Sequence, residues 1–443
     1  MQLNEKQQKA VELFLDFILN PEAYEFILAG YSGCGKTTVV RELINQALAA
    51  IEFDSKLHSG NNDVLDSSVH TIYLTATTNQ AAENIQSITD FDATTYHSLL
   101  GLKLFENYKT GETSLRETRD TIPLSNCIIF IDEASYITAS ALALIRKLVK
   151  QSDNCKIVYV GDSAQLLGDS SGTSPVFDID SEYKIELTEV MRTTGDNPII
   201  DIATEYRKAI KEGIKSLPYI EPDNKHVFAL DGEEFSQKVI DHFKQNPSTN
   251  ARVLVYHNAT AIQHNLNIRE ALGFPADRFV LDEPLVSNGV VKNKQNSIVI
   301  RNNQKVIVTG VSNQVETYTP PHPEMSHLSV NYRVYTVQPD GHKGLSSVNV
   351  KIPVDINTYL KLQKAFASNM MWSDYFRLKS FFADLRPTYS STIHKIQGMT
   401  LDTVFIDMSD IEDSQHITYD TALRLIYVGL TRTADKAYLY YDT

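Results

Sequence analysis

Eight residues near the N-terminus, Gly30-Tyr31-Ser32-Gly33-Cys34-Gly35-Lys36-Thr37, carry the spacing G-x-x-x-x-G-K-[ST]. Glycines lack the Cβ that would keep successive backbone N–H groups from turning toward one point. A helix starting there adds its positive end, so the stretch suits phosphate oxygens. Gly30, Gly33 and Gly35 would make the turns. Lys36 would reach the β- and γ-phosphates, and Thr37 would offer a hydroxyl to Mg²⁺, with Thr38 beside it. The bland alternative is a Gly-rich turn without a ligand. An apolar run before the motif (24–30) and a helical pattern after it favour the phosphate site, which needs a strand on one side and a helix on the other.

A second pair, Asp132-Glu133, ends the apolar run 127–131. Carboxylates at the end of a buried parallel strand lie at the rim where α/β sheets bind ligands. Asp132 suits the Mg²⁺ shell, and Glu133, with one more methylene, suits a base for an attacking water. Alone, such a pair is equally well a helix cap. Together with the phosphate loop it predicts nucleoside triphosphate hydrolysis, which does not say what work the hydrolysis performs.

Positioning these groups requires a sheet, and the first half supplies its pattern. Strand-like runs at 24–30, 70–77, 126–134 and 155–162 alternate with helical stretches, as in a parallel sheet covered on both faces. Residues 101–123, with the turn signal YKTGET, read as an inserted hairpin. Residues 56–68 read as a surface loop. A second alternation begins after about residue 196, with a helix from Ile199 and a strand at 251–258. It is interrupted by a β-rich stretch typical of a small barrel and by one helical stretch over 356–385, then resumes with TVFIDM and AYLYYD.

The whole chain has 443 residues, enough for about three domains of about 150 residues each. With 42% apolar residues it is neither a disordered chain nor a collagen. Cys34, Cys127 and Cys155 lie far apart without a C-x-x-C pair, which excludes a disulfide scaffold or zinc ribbon and suits a reducing cytosol. No run approaches about 18 uninterrupted apolar residues, so no membrane span is expected. The N-terminal apolar pattern, broken by Glu12 and Asp16, reads as an amphipathic core helix, not a signal peptide. A net charge of −14 argues weakly against a nucleic-acid partner. The distribution is less hostile: residues 277–386 hold 13 basic and 9 acidic residues, a local +4 against −18 elsewhere.

Further segments follow in order: Gly161-Asp162-Ser163-Ala164-Gln165-Leu166, Leu187-Thr188-Glu189-Val190-Met191-Arg192, Ser391-Thr392-Ile393-His394-Lys395-Ile396-Gln397-Gly398-Met399-Thr400, and Tyr427-Val428-Gly429-Leu430-Thr431-Arg432. This series resembles the superfamily 1 helicases, and the last two segments resemble their RecD-like, 5′-to-3′ branch. The likeness covers nearly the whole chain. It implies an α/β fold of two RecA-like P-loop domains, with a hairpin insertion in the first and an SH3-like β-rich insertion in the second. The domains would be 1–195 (hairpin about 99–124), 196–275, an insertion at 276–386 with a helical extension, and 387–443 completing the second domain. It also implies a cytoplasmic monomer, such as a phage protein in its host, that uses ATP and Mg²⁺. Its partners would be single-stranded DNA, single-strand/duplex junctions and a single-strand-binding or replication protein, with no membrane.

The resemblance assigns roles residue by residue. Gln7 would read adenine, Gln165 would sense the γ-phosphate, and Arg192 and Arg432 would be arginine fingers from the second domain. Thr78, Thr95 and His97, with Thr392 and His394, match strand-contacting positions. Thr77 stands where the family has proline, and Asn302-Asn303-Gln304 is a mild change from the usual N-G-Q. Trp372, Tyr375 and Phe376 fall at helical spacing and fit either a packed face or base stacking. Leu115, expected near the hairpin tip, could split the duplex or simply pack. The work done would be 5′-to-3′ unwinding. The alternatives are an ssDNA-stimulated translocase that mainly displaces bound proteins, and a P-loop ATPase without a nucleic-acid role.

Overall fold

The computed structural model describes residues 3–58, 71–118, 124–166, 173–189, 197–246, 250–293, 295, 297–339, 347–414 and 417–441. Arg192 and most of the expected 56–68 loop lie outside the described residues. Helix α1 (Glu5–Leu19) starts at Asn4, whose side chain and that of Gln7 cap each other's backbone N–H, and it buries Ala10, Phe14 and Phe17 on one face. Lys156 closes its far end by donating to the carbonyls of Phe17, Asn20 and Ala23 at 3.2, 2.6 and 2.7 Å. These bonds satisfy acceptors that a helix end leaves open.

Along the first domain follow β1 (Glu25–Gly30), α2 (Lys36–His58), β2 (Thr71–Ala76), α3 (Asn79–Thr89), β3 (Ala93–Thr95) and the short α4 (Tyr96–Leu99). Then come β4 (Leu102–Glu106), β5 (Thr113–Glu117), β6 (Ser125–Asp132), α5 (Ala139–Lys150), β7 (Asp153–Gly161) and β8 (Lys184–Leu187). Six strands form one sheet in the order β3-β2-β6-β7-β1-β8. Every pair in it is parallel. The near-continuous apolar runs of β1, β6 and β7 are what burial on both faces demands, and a separate core cluster covers each face. The pairing of Ala76 with Asp132 sets the segment after β2 beside the carboxylate pair. Strands β4 and β5 form an antiparallel hairpin of their own.

The second domain opens with α6 (Ile199–Glu212), β9 (Val227–Leu230), α7 (Gly232–Gln245), β10 (Ala251–Val255) and α8 (Asn258–Ala271). Its sheet is completed far downstream. Between lie β11 (Pro284–Ser287), β12 (Val291–Lys292), β13 (Ile298–Ile300), β14 (Lys305–Val311), β15 (Glu316–Tyr318), β16 (Val330–Pro339) and β17 (Val348–Pro353), then α9 (Ile356–Ser368), α10 (Trp372–Phe381) and β18 (Leu385–Pro387). The chain returns with β19 (Ser390–Thr392), β20 (Leu401–Asp407), α11 (Met408–Glu412), α12 (Tyr419–Thr431) and β21 (Thr433–Tyr440), giving a parallel sheet in the order β19-β10-β20-β21-β9. Of the intervening strands, β12 and β13 pair with each other, and the rest form an antiparallel sheet in the order β15-β16-β14-β11-β18, with β17 on β16.

The helical stretch expected as one element is two. Met370 adopts a left-handed backbone (φ 55°), and the N–H of Met371 bonds back to the carbonyl of Phe366 at 2.8 Å. The break lets Phe366 and Leu378 enter one core from different helices. At the junction between α8 and β11, buried Arg269 pairs with Glu283 at 2.7 Å.

Candidate active site and nucleic-acid groove

The phosphate loop joins β1 to α2. Gly33 and Gly35 both take φ of 80°, which L-residues with a Cβ rarely adopt. Gly30 is needed for a different reason: a Cβ there would stand 2.7 Å from Cys34 Sγ and 3.2 Å from Lys36 Cγ. The ammonium of Lys36 donates to the carbonyls of Gly30 and Tyr31 at 2.9 and 2.8 Å, so it is folded onto the loop it would share with phosphates. Thr37 and Thr38 occupy the first turn of α2. Gln7 is buried against the same loop. Its amide donates to the Cys34 carbonyl at 3.1 Å and its oxygen accepts from the Asn4 N–H at 3.0 Å. A base at this edge would exchange with those bonds.

Asp132 ends β6, and burial and the charge of Glu133 push its carboxyl up to about 7. Glu133 stands in the left-handed region at φ 53°, ψ 42°. For a non-glycine residue that costs about 1–3 kcal/mol and is typical of functional sites. Three bonds hold it: its N–H donates to Asp132 Oδ1 at 2.9 Å, and its carbonyl accepts from Thr77 Oγ1 at 3.2 Å and from the Tyr136 N–H at 3.1 Å. The hydroxyl where the family carries proline thus supports the backbone of Glu133.

The second domain reaches the same point. Arg432 Nη1 lies 3.9 Å from Glu133 Oε1, and its Nε is buried without a partner. Gly398 (φ 77°) faces Glu133, a Cβ there lying 4.0 Å from Oε1, and its carbonyl accepts from the Asn84 amide. Tyr136 donates to the His394 carbonyl at 3.0 Å. Gln165 is buried with its Oε1 unpartnered, as is Oε1 of Gln397. Buried polar atoms are rarely left unbonded. Several of those found among the described residues gather at this cleft, which is what a site shaped for a polar ligand presents.

Sequence reasoning missed a buried network beside the cleft. Asp162 follows β7 and is fully buried. Its carboxylate pairs with Arg207 of α6 and accepts from Tyr427 of α12 at 2.6 Å. Burial alone would raise Asp162, but the guanidinium, Lys36 and the Tyr427 hydroxyl outweigh it and hold the carboxyl below its ordinary value. Asp162 and Tyr427 lie in segments singled out above, whereas Arg207 lies in none. Its one signal is that a charge falls on the apolar stripe Ile199, Ala203, Tyr206, Ile210, where an unpaired cation would be costly.

A groove runs between the first domain, the second and its β-rich insertion. Its lining includes Gln80, Arg252, Lys305, Arg386, Thr392 and Lys395 and, among the described residues, no carboxylate, although Asp384 at its edge pairs with Arg386 at 2.9 Å. In a chain of net charge −14 that is a concentrated basic site. Arg252 is buried there and pushed down to about 10, and Lys395 to about 8, both chiefly by desolvation. Thr78 and Thr95 are helix N-caps, each hydroxyl accepting one backbone N–H at 3.2 Å. A capping hydroxyl keeps its own proton to donate, so the cap and a phosphate contact are compatible. His97 packs on Tyr96 with centroids 3.9 Å apart, and burial pushes it down to about 4, so it is neutral near pH 7. His394 is also lowered by burial, and its Nε2 lacks a partner.

Two placements need correction. Leu115 is not at the hairpin tip. It lies mid-strand opposite Leu104 and packs against the core of the first domain, because the turn occupies residues 107–112. The exposed apolar side chains of the hairpin are Leu104, Phe105 and Tyr108. Trp372 is not an open platform for bases. Its ring covers Gly111 of that turn, where a Cβ would come within 2.6 Å, while Tyr108 meets Phe376 with centroids 5.0 Å apart. The hairpin is therefore braced against α10.

Residues 18–170 match the family model of an AAA domain, and residues 387–440 that of a UvrD-like helicase C-terminal domain. The chain is 24% identical to the ATP-dependent DNA helicase dda of Enterobacteria phage T4, over 97% of each chain. It is 22% identical to an uncharacterized protein of Acanthamoeba polyphaga mimivirus, over 98% of each. A solved structure of Pif1 helicase from Bacteroides, in complex with ADP-AlF3 and ssDNA, is 16% identical with a TM-score of 0.48, covering 99% of this chain and 92% of that one. The motif series runs in order from the phosphate loop to Arg432, and over nearly its whole length the chain is similar to a phage ATP-dependent DNA helicase, in keeping with its resemblance to the superfamily 1 helicases.

Proposed function

We propose that the chain is an ATP-driven helicase that moves 5′ to 3′ along single-stranded DNA and opens duplex at a single-strand/duplex junction. One observation carries this furthest. The phosphate loop, Asp132 and Glu133 belong to one domain, and Arg432, 3.9 Å from Glu133, belongs to the other. A planar guanidinium can bridge the oxygens of a transferring phosphoryl group, whose charge spreads in the transition state. Because the two halves sit on different domains, hydrolysis depends on their closure and its products favour reopening. Thr37 and Asp132 would hold Mg²⁺, which would supply positive charge against the phosphates when bound. Lys36 would leave the loop carbonyls for the β/γ-phosphates, Gln165 would face the γ-phosphate, Gln7 would meet adenine, and Glu133 would accept the proton of the attacking water. Arg192 is proposed as a second arginine finger on sequence alone.

The strand would lie in the basic groove, met there by Thr392 and the cations on the insertion side, and outside the groove's lining by the hydroxyls of Thr78 and Thr95 and by His97 and His394 as uncharged imidazoles. The braced hairpin, with Leu104 and Phe105 exposed, would be the separating element. Its support from α10 favours strand opening over mere displacement of bound protein. Among the described residues no helix is long and apolar enough to cross a membrane, and we assign the work to the cytosol, where ATP and DNA meet. The direct test is unwinding of duplexes with one single-stranded tail. A 5′-tailed duplex should open and a 3′-tailed one should not, and preferential opening of the 3′-tailed substrate would overturn the polarity.

The groove gives a second expectation. Releasing counterions from phosphates makes binding weaken with salt, by a slope of about 0.7 per phosphate for single strands. Lys395→Ala should therefore weaken ssDNA binding and flatten the plot of log affinity against log salt by about 0.7. Since Lys395 sits near 8, it is charged at pH 7 and loses its proton as pH rises past that value. Wild-type affinity should then fall between pH 7 and 9 more steeply than that of Lys395→Ala. Equal salt slopes for the two proteins in anisotropy titrations would place the phosphate contacts elsewhere.

A further inference from the structure

The segment 162–166 leaves the end of β7 in the first domain, yet the side chains that grip it come from the second. Arg207 and Tyr427 bind the Asp162 carboxylate. Arg424 donates to the carbonyls of Ser163 and Gln165 at 2.8 and 3.4 Å, and Gln397 donates to that of Leu166 at 3.3 Å. In the middle of this segment stands Gln165, with its side-chain oxygen buried and unbonded.

Arg207 makes the widest set of contacts. One arm of its fork meets Asp162 and the Tyr427 hydroxyl, the latter at 3.2 Å, and the other meets Glu186 on edge strand β8 at 3.0 Å. Its flat face lies 3.5 Å from the ring centroid of Tyr31 in the phosphate loop. A single side chain of the second domain thus spans the segment, the sheet edge and the phosphate loop. Only a planar, permanently charged fork can do all three; an ammonium is a point charge with no face to stack.

We propose that Arg207 is a positioning residue that fixes the 162–166 segment in the frame of the second domain, so that movement of that domain carries Gln165 toward or away from the phosphate site. The inference rests on the chain being an ATP-driven motor. Cleft motion would then be read at the nucleotide through a segment that belongs to one domain by connectivity and to the other by its bonds. Misplacement of a reacting or sensing group by about 1 Å can cost about 10²-fold in rate, so a loosened segment should lose turnover and keep ligand affinity.

Arg207→Lys keeps a cation against Asp162 and should fold. ATP and ssDNA affinities should stay near wild type, while the ssDNA-stimulated kcat falls by up to about 10²-fold. In hydrogen–deuterium exchange, the peptide over 161–166 should exchange faster and cease to respond to a non-hydrolysable ATP analogue. The paired change Asp162→Asn with Arg207→Gln removes both buried charges at similar shape. If Arg207 only neutralised Asp162, that protein would keep full stimulation; we expect a folded protein, by its Tm, without it. Wild-type stimulation in either folded variant overturns the proposal. If wild-type turnover ignores ssDNA, the motor assignment fails instead, and exchange alone then decides: unchanged exchange in Arg207→Lys overturns the positioning role.

Discussion

Glu133→Gln should keep ATP and ssDNA binding while steady-state turnover falls by about 10²–10⁴-fold, the usual contribution of a positioned base. The substitution preserves the geometry that holds the residue. The left-handed backbone is fixed through main-chain atoms, by Thr77 at the carbonyl and Asp132 at the N–H, and neither bond involves the side chain being changed. What changes is the charge facing Arg432. Released from the carboxylate 3.9 Å away, that guanidinium is freer to meet the nucleotide. The variant should therefore hold ATP at least as tightly as wild type, with the domains closed on the strand. Asp132→Asn should behave differently and weaken Mg²⁺-dependent nucleotide binding, since its position at the strand end suits the metal's water shell. Single-turnover quench measurements at saturating ssDNA, alongside equilibrium nucleotide binding, separate the two. A Glu133→Gln rate close to wild type would place the base elsewhere.

Legibility in the sequence followed how local each feature is. The phosphate loop and Asp132-Glu133 were readable because strand, turn and helix start are written in consecutive residues. Parallel sheets followed from the alternation of apolar runs with helical stretches. Tertiary partners were not readable. Leu115 was misplaced because hairpin register decides which side chain reaches the end, and the turn took residues 107–112. Trp372 was open to two explanations because its partner, Gly111, is remote in sequence and carries no apolar side chain to betray the contact. Thr77 stands where the family has proline, and nothing in its own segment shows that its hydroxyl bonds the backbone of Glu133. Arg207 shows in the sequence only as a charge on an apolar helix stripe, because its partners Asp162, Glu186, Tyr31 and Tyr427 come from four separate segments.

Gly111→Val should uncouple duplex opening from ATP hydrolysis. Gly111 has φ of 75°, and a Cβ there would lie 2.6 Å from three ring carbons of Trp372. A left-handed backbone costs an L-residue about 1–2 kcal/mol, which by itself lowers the population of the braced hairpin about 5–30-fold. The overlap with Trp372 adds to that cost, because the ring must leave α10's face or the turn must lift from it. Either movement also separates Tyr108 from Phe376 and leaves the hairpin standing without its support. The cleft residues are untouched, so ssDNA-stimulated ATPase and translocation on single strands should persist while strand separation slows by about tenfold or more, as the braced population falls. Gly111→Asn separates the two causes. Asparagine tolerates the left-handed region, so any defect it retains reports the contact with Trp372. Trp372→Ala should reproduce the defect from the other side. Parallel measurement of unwinding and of ssDNA-stimulated ATPase decides the matter. Full unwinding in both Gly111→Val and Trp372→Ala would show that the hairpin works without its brace, and an equal loss of ATPase would show that the hairpin acts through the cleft and not at the fork.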